Sequence, residues 1–108
     1  MEWTDTYFAR VNADSDGDNT IVAAVTGMRI RVISYTLTAT AVGIATVKSA
    51  STALAELSFG TVTTAPIPIS FAGSAIAAAF QTAVGEALVF NTQVAQDVNG
   101  HLAYLLVG

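Results

Sequence analysis

Between Arg29 and Thr40 apolar and hydroxyl-bearing residues alternate one by one. Ile33, Tyr35, Leu37 and Ala39 share one parity, and Ser34, Thr36, Thr38 and Thr40 share the other. A period of two is that of a strand with one covered face, whereas a helix would repeat its apolar positions every three to four residues. At the start of the run Ile30 and Val32 take the opposite parity, between Arg29 and Arg31. A switch of parity inside one strand predicts a bulge, or two covered faces.

The same reading extends along the chain, because Thr, Val and Ile recur throughout and their branched side chains fit a pleated, half-buried surface. Further strands are expected over Tyr7 to Asn12, Thr20 to Val25, Ile44 to Ser49, Ala53 to Phe59, Ile67 to Phe71, Ala75 to Gln81, Ala87 to Thr92 and His101 to Val107. Between them stand residues that tolerate tight turns, among them Asp16-Gly17-Asp18-Asn19, Thr26-Gly27, Val42-Gly43, Gly73-Ser74, Val84-Gly85 and Asn99-Gly100. Strands recurring roughly every ten residues indicate an all-β sandwich or barrel. The one rival is a helix over Ser74 to Gln81, where Ala is abundant; it is short and lacks a charged face, so a strand is favoured. Thr40-Ala41-Val42-Gly43-Ile44-Ala45-Thr46-Val47 is echoed by Thr82-Ala83-Val84-Gly85-Glu86-Ala87-Leu88-Val89. Chance explains such an echo in a chain rich in Ala, Thr and Val; two related halves, as in a jelly roll of two Greek keys, is the sharper reading.

A length of 108 residues allows one domain with one modest core. We expect an N-terminal arm over residues 1–9 and a single β-sandwich over residues 10–108, a jelly roll of about eight strands. Only 11% of the residues are charged while 53% are hydrophobic. An ordinary domain carries about 25% charged residues, and a small one has proportionally more surface to cover, so much of this surface is expected to meet protein instead of water. The uncharged run from Leu57 to Gly85 is long enough to span a bilayer, but Gly60, Pro66, Pro68 and Gly73 break it into short pieces, and no membrane segment is expected. Four cations, Arg10, Arg29, Arg31 and Lys48, against a net charge of −4 leave little for binding nucleic acid. The absence of Cys excludes a disulfide scaffold, thiolate metal sites and Cys nucleophiles. Glu2 and Asp5 stand where a secretory signal carries positive charge, and no apolar stretch follows, so export is not expected.

Candidate chemistry is sparse. Asp14-Ser15-Asp16-Gly17-Asp18-Asn19 is the one acidic cluster, and Asp14, Asp16 and Asp18 are the only candidates for a hard-cation site. Its glycine comes fourth where a helix-loop-helix calcium loop needs it sixth, and Val25 stands where that loop needs a bidentate Glu. A solvated turn capped by Asx hydrogen bonds is the expectation. His101 is the single histidine, and no G-x-S-x-G nucleophile elbow, phosphate-cradling loop or obvious carboxylate pair accompanies it. No catalytic residue, cofactor or metal is assigned. Trp3, Tyr7 and Phe8 crowd the first eight positions. Large apolar side chains on a terminal arm become favourable when docked, which marks all three as candidate partner-binding residues. The alternative is that Tyr7 and Phe8 belong to the first core strand, with Trp3 alone left to explain.

Several segments carry a resemblance to a known class. Arg10-Val11-Asn12-Ala13 before Asp16-Gly17-Asp18-Asn19-Thr20, Val22-Ala23-Ala24, Gly27-Met28-Arg29-Ile30-Arg31-Val32, Lys48-Ser49, Thr52-Ala53-Leu54, Gly85-Glu86-Ala87-Leu88 and Gly100-His101-Leu102 resemble small virion structural proteins of tailed bacteriophages. The likeness covers most of residues 10–107 and is nearest in size and character to head decoration, or cement, proteins. It implies a non-enzymatic protein made in the host cytoplasm and carried on the capsid exterior, where such proteins commonly trimerise. Its implied partners are further copies of itself and the major capsid protein. A tail or fibre module contacting a host receptor and a carbohydrate-binding sandwich are the alternatives. Residues 1–9 lie outside the resemblance.

Overall fold

In the computed structural model, residues 5–60, 67–93 and 96–108 are described, and the parity switch near Arg29 is resolved as a bulge. Strand β3 (Arg29–Ala39) pairs with β9 (Val98–Val107) so that Val32 faces Tyr104 and Ser34 faces Ala103, leaving Ile33 as the extra residue. Ile30 and Val32 therefore point inward before the bulge and Leu37 after it, and all three are fully buried.

The other strands are β1 (Tyr7–Ala13), β2 (Gly17–Val22), β4 (Ile44–Ser49), β5 (Thr52–Ser58), β6 (Ile69–Ala72), β7 (Phe80–Gln81) and β8 (Leu88–Thr92). They form two antiparallel sheets packed as a β-sandwich, one in the order β1-β9-β3-β6 with β7 also on β3, the other in the order β2-β8-β4-β5. The former is called sheet A below and the latter sheet B. Both supply the core: Val11, Ile30, Val32, Leu37, Val98 and Leu102 from sheet A meet Val22, Ala45, Val47, Leu57, Leu88 and Phe90 from sheet B. Each fully buried aliphatic or aromatic side chain contributes about 1.5 to 3 kcal/mol. Tyr35 lies between the rings of Phe71 and Phe80, with centroids at 5.9 and 5.6 Å, and burial pushes its hydroxyl above the usual tyrosine pKa.

Three sequence expectations need correction. Ser74 to Gln81 is neither a helix nor a long strand. The Ser74 hydroxyl accepts the N–H groups of Ile76 (3.3 Å) and Ala77 (3.2 Å), and this local turn competes with the ladder. Pairing with β3 stops at Gly73 N–H to Ile33 O and resumes at Ala79 N–H to Val32 O, so β6 and β7 are one edge strand interrupted opposite the β3 bulge. Asn99-Gly100 is not a turn but lies inside β9, where Gly100 sits between Val11 and Leu37 at a φ of 146°. A Cβ there would collide with the Thr36 carbonyl oxygen, so the missing side chain serves a close backbone approach. Lastly, the arm expected over residues 1–9 ends earlier, because Tyr7, Phe8 and Ala9 are already paired with Tyr104, Ala103 and Leu102.

The echoed segments lead into β4 and β8, which are neighbours in sheet B. Their pleats are out of step: Ala45 and Val47 face inward in the first copy, whereas Leu88 and Phe90 do so in the second. A one-residue slip reverses every side chain, so the copies are not equivalent in the fold.

Candidate interaction surface

β1 is an edge strand, and its alternation decides where the two aromatic residues go. Ala9 and Val11 face the core, which turns Phe8, Arg10 and Asn12 to the outside of sheet A. Phe8 is 77% exposed beside Ala103. Tyr7 takes the inward parity and stacks on Tyr104 at 5.4 Å, so it belongs to the rim of the core more than to a free surface. Trp3 lies outside the described residues. Of the two described aromatic residues singled out from the sequence, Phe8 is the more fully presented to solvent, while Tyr7, stacked on Tyr104, is still 40% exposed.

A second exposed apolar residue escaped the sequence reading. Ile76, expected inside a strand, is 99% exposed at the tip of the loop between β6 and β7. That loop is held: Ser74 N–H donates to Ala77 O (3.2 Å), the Ser74 hydroxyl caps the turn, and Arg31 Nη1 donates to Ala75 O (2.7 Å). Arg31 Nε also bonds Gln81 Oε1 at 2.6 Å, tying the outgoing and returning limbs to β3. The only signal in the sequence was Gly73-Ser74 ahead of a run with no charge.

The acidic turn is organised by its asparagine. Asn19 Oδ1 accepts Ser15 N–H at 3.0 Å, and its Nδ2 donates to Ser15 O at 2.8 Å and Gly17 O at 3.1 Å. Asp18 points to the outer side of sheet B, where its carboxylate accepts Asn91 Nδ2 (2.7 Å) and Lys48 Nζ (3.0 Å). Those two contacts, Asn91 first, hold the Asp18 carboxyl below the usual carboxylate range. Asp14 and Asp16 remain exposed in the turn, and no group of three or more potential ligands is gathered for a metal among the described residues.

Between the start of β3, the β4–β5 turn and the β7–β8 loop lies an open depression of about 370 Å³, walled by Arg29, Ser49, Thr52, Leu54, Gln81 and Glu86 among others. Ser49 donates to Glu86 Oε1 (2.5 Å) and accepts Ala83 N–H (2.9 Å), so its hydroxyl is engaged in both directions and fastens the loop. His101 is exposed on the outer side of sheet A, opposite Arg10 and Thr36, and the fold does not bring it to this serine and carboxylate. A nucleophile needs a base within hydrogen-bond reach that is itself oriented by a third group. The Ser49–Glu86 pair is a loop clasp.

No protein-family model matches this chain, and neither a curated protein nor a solved structure matches it.

Proposed function

We propose that the chain is a non-enzymatic virion structural protein, a decoration protein that binds the assembled head of a tailed phage as a homotrimer and stabilises contacts between coat subunits. The observation that carries this reading is Ile76. A loop fastened by its own turn hydrogen bonds and by Arg31 holds a large apolar side chain wholly in water, where it gains nothing until a partner covers it. Anchors of this kind, fixed before binding, lose little entropy on docking. Phe8 on the opposite edge of the same sheet has the same character, and the scarcity of charge fits a surface that is largely covered in its working state.

The connectivity supports the finer reading of the sandwich as a jelly roll. With β6 and β7 counted as one edge strand, the chain crosses between sheets at every connection except the β4–β5 hairpin, and the first strand lies beside the last. Two nested Greek keys give such an order, in an architecture that also builds capsid domains. The mechanism is adhesion: a protein that binds only the assembled shell stabilises it by mass action, and repeated contacts add through multivalency.

The test is to purify particles from cells that make this chain and image them with a label directed against it. A regular array of label over the head exterior is expected. Label confined to a tail tip, or none on particles, overturns the reading.

A further inference from the structure

Charge is divided between the two sheets. β1, β3, β6, β7 and β9 contain three of the four cations, Arg10, Arg29 and Arg31, together with His101, and not one Asp or Glu. Sheet B holds Asp18 and Glu56 against the single Lys48, and that lysine is already paired with Asp18. On the outer side of sheet A, Phe8 and Arg10 are neighbours two residues apart on the same edge strand, with Ala103 and His101 opposite them. Further along the same side stand exposed Arg29 and half-buried Arg31, the latter already bonded to Gln81 and Ala75, and the rest of the face is uncharged, with Asn12, Ser34, Thr36, Thr38 and Asn99. An aromatic residue and Arg side by side, on strands that carry no Lys, Asp or Glu, are the composition of an interface centre, where those three are depleted.

We propose that the outer face of sheet A is the contact surface for a second copy of this chain, and that Phe8 and Arg10 dock against the acidic β1–β2 turn, Asp14 and Asp16, of the next protomer. This rests on the reading of the protein as a cyclic homo-oligomer and names the surface that builds it. The chain carries a net charge of −4, so a cationic face on it is attracted to other copies of itself. Within the copy, Asp18 is occupied by Lys48 and Asn91, and Glu86 by Ser49, whereas Asp14 and Asp16 stand together, exposed, at the point where the chain passes from one sheet to the other. Geometry selects the turn over the outer face of sheet B. A contact between opposite faces of one sandwich repeats as an open stack, whereas a contact between a face and an end of the molecule introduces the rotation between copies that a closed ring requires. Phe8 supplies the desolvated area and Arg10 the register.

The experiment is sedimentation velocity on the full chain across nanomolar to micromolar concentrations, at low and high salt. A closed oligomer is expected whose dissociation constant rises several-fold from low to high salt, because the pairing across the interface is screened. Phe8→Ser and Arg10→Glu are each expected to weaken association at least about tenfold, with melting curves confirming that the exposed substitutions leave the fold intact. Combining Arg10→Glu with Asp14→Lys and Asp16→Lys restores association, which a general loss of stability would not do. A wild-type monomer throughout the range overturns the proposal, as does an oligomer indifferent to Phe8→Ser and Arg10→Glu. Those variants also separate this inference from the decoration reading. If they remain oligomeric yet no longer bind particles, sheet A faces the shell, and the second copy is the wrong occupant while the decoration function stands. If they lose oligomerisation and the wild type never appears on particles, the interface stands and the decoration reading falls.

Discussion

At the scale of single residues, two positions show how local chemistry is set by distant neighbours. Asp18 is exposed, and its depressed pKa comes from Asn91 and then Lys48, which lie on β8 and β4. A carboxyl with a lowered folded pKa contributes stability that is present above its ordinary value and is lost as pH falls through the folded one. Urea midpoints measured from neutral pH downward should therefore fall more steeply below pH about 4 for the wild type than for Asp18→Asn, and the two should differ most at neutral pH. Gly100 is the sharper case. Its positive φ and its contact with the Thr36 carbonyl leave no room for a methyl group at the centre of sheet A. Gly100→Ala should destabilise the sandwich by about 3 kcal/mol, read as a drop in denaturation midpoint with an unchanged m-value.

At the scale of elements, the interrupted β6–β7 edge is where sequence and fold diverge most. The residues from Ala75 to Ala79 have no composition that forbids a strand, yet Ser74 redirects their N–H groups and Arg31 captures their carbonyl oxygen. The bulge at Ile33 and the loop face each other, so one irregularity accommodates the other. Replacing Ser74 by Ala removes the acceptor for Ile76 and Ala77 N–H at a cost of about 1 kcal/mol. Faster hydrogen exchange at those two amides with little change at β3 and β9 is the expected outcome; uniform loss of protection across sheet A would mean that the loop and sheet unfold together. If Ile76 anchors the protein to a shell, Ser74→Ala also weakens particle binding by loosening a prearranged contact.

At the scale of the whole molecule, the edge β1 marks where the fold begins. Val11 and Ala13 are core residues, whereas nothing before Tyr7 pairs with a strand among the described residues. A chain lacking residues 1–6 should melt within a few degrees of the full chain and keep its oligomeric state, while one lacking residues 1–13 loses an edge strand and two core side chains and should not fold. Particle binding by the shorter truncation then separates the arm from the sandwich: weakened attachment assigns a role to Trp3 and its neighbours, and unchanged affinity leaves the contact to Ile76 and the loops.

The sequence by itself determined the all-β class, eight of the nine strands in substance, and a parity switch in β3 that meant a bulge or two covered faces, because parity along a strand is a local property that the covered face imposes residue by residue. It also contained the charge division between the sheets, which becomes visible only once each strand is assigned to its sheet. Tertiary structure alone decided that Asn99-Gly100 continues a strand, since the reason is the Thr36 carbonyl across the ladder. It decided likewise that Ser49 meets Glu86, that Asp18 leaves its turn for Lys48, and that Tyr7 and Phe8 part to opposite sides of one strand. Each of these depends on which strands lie side by side, a pairing set by burial over the whole core and not by any segment alone.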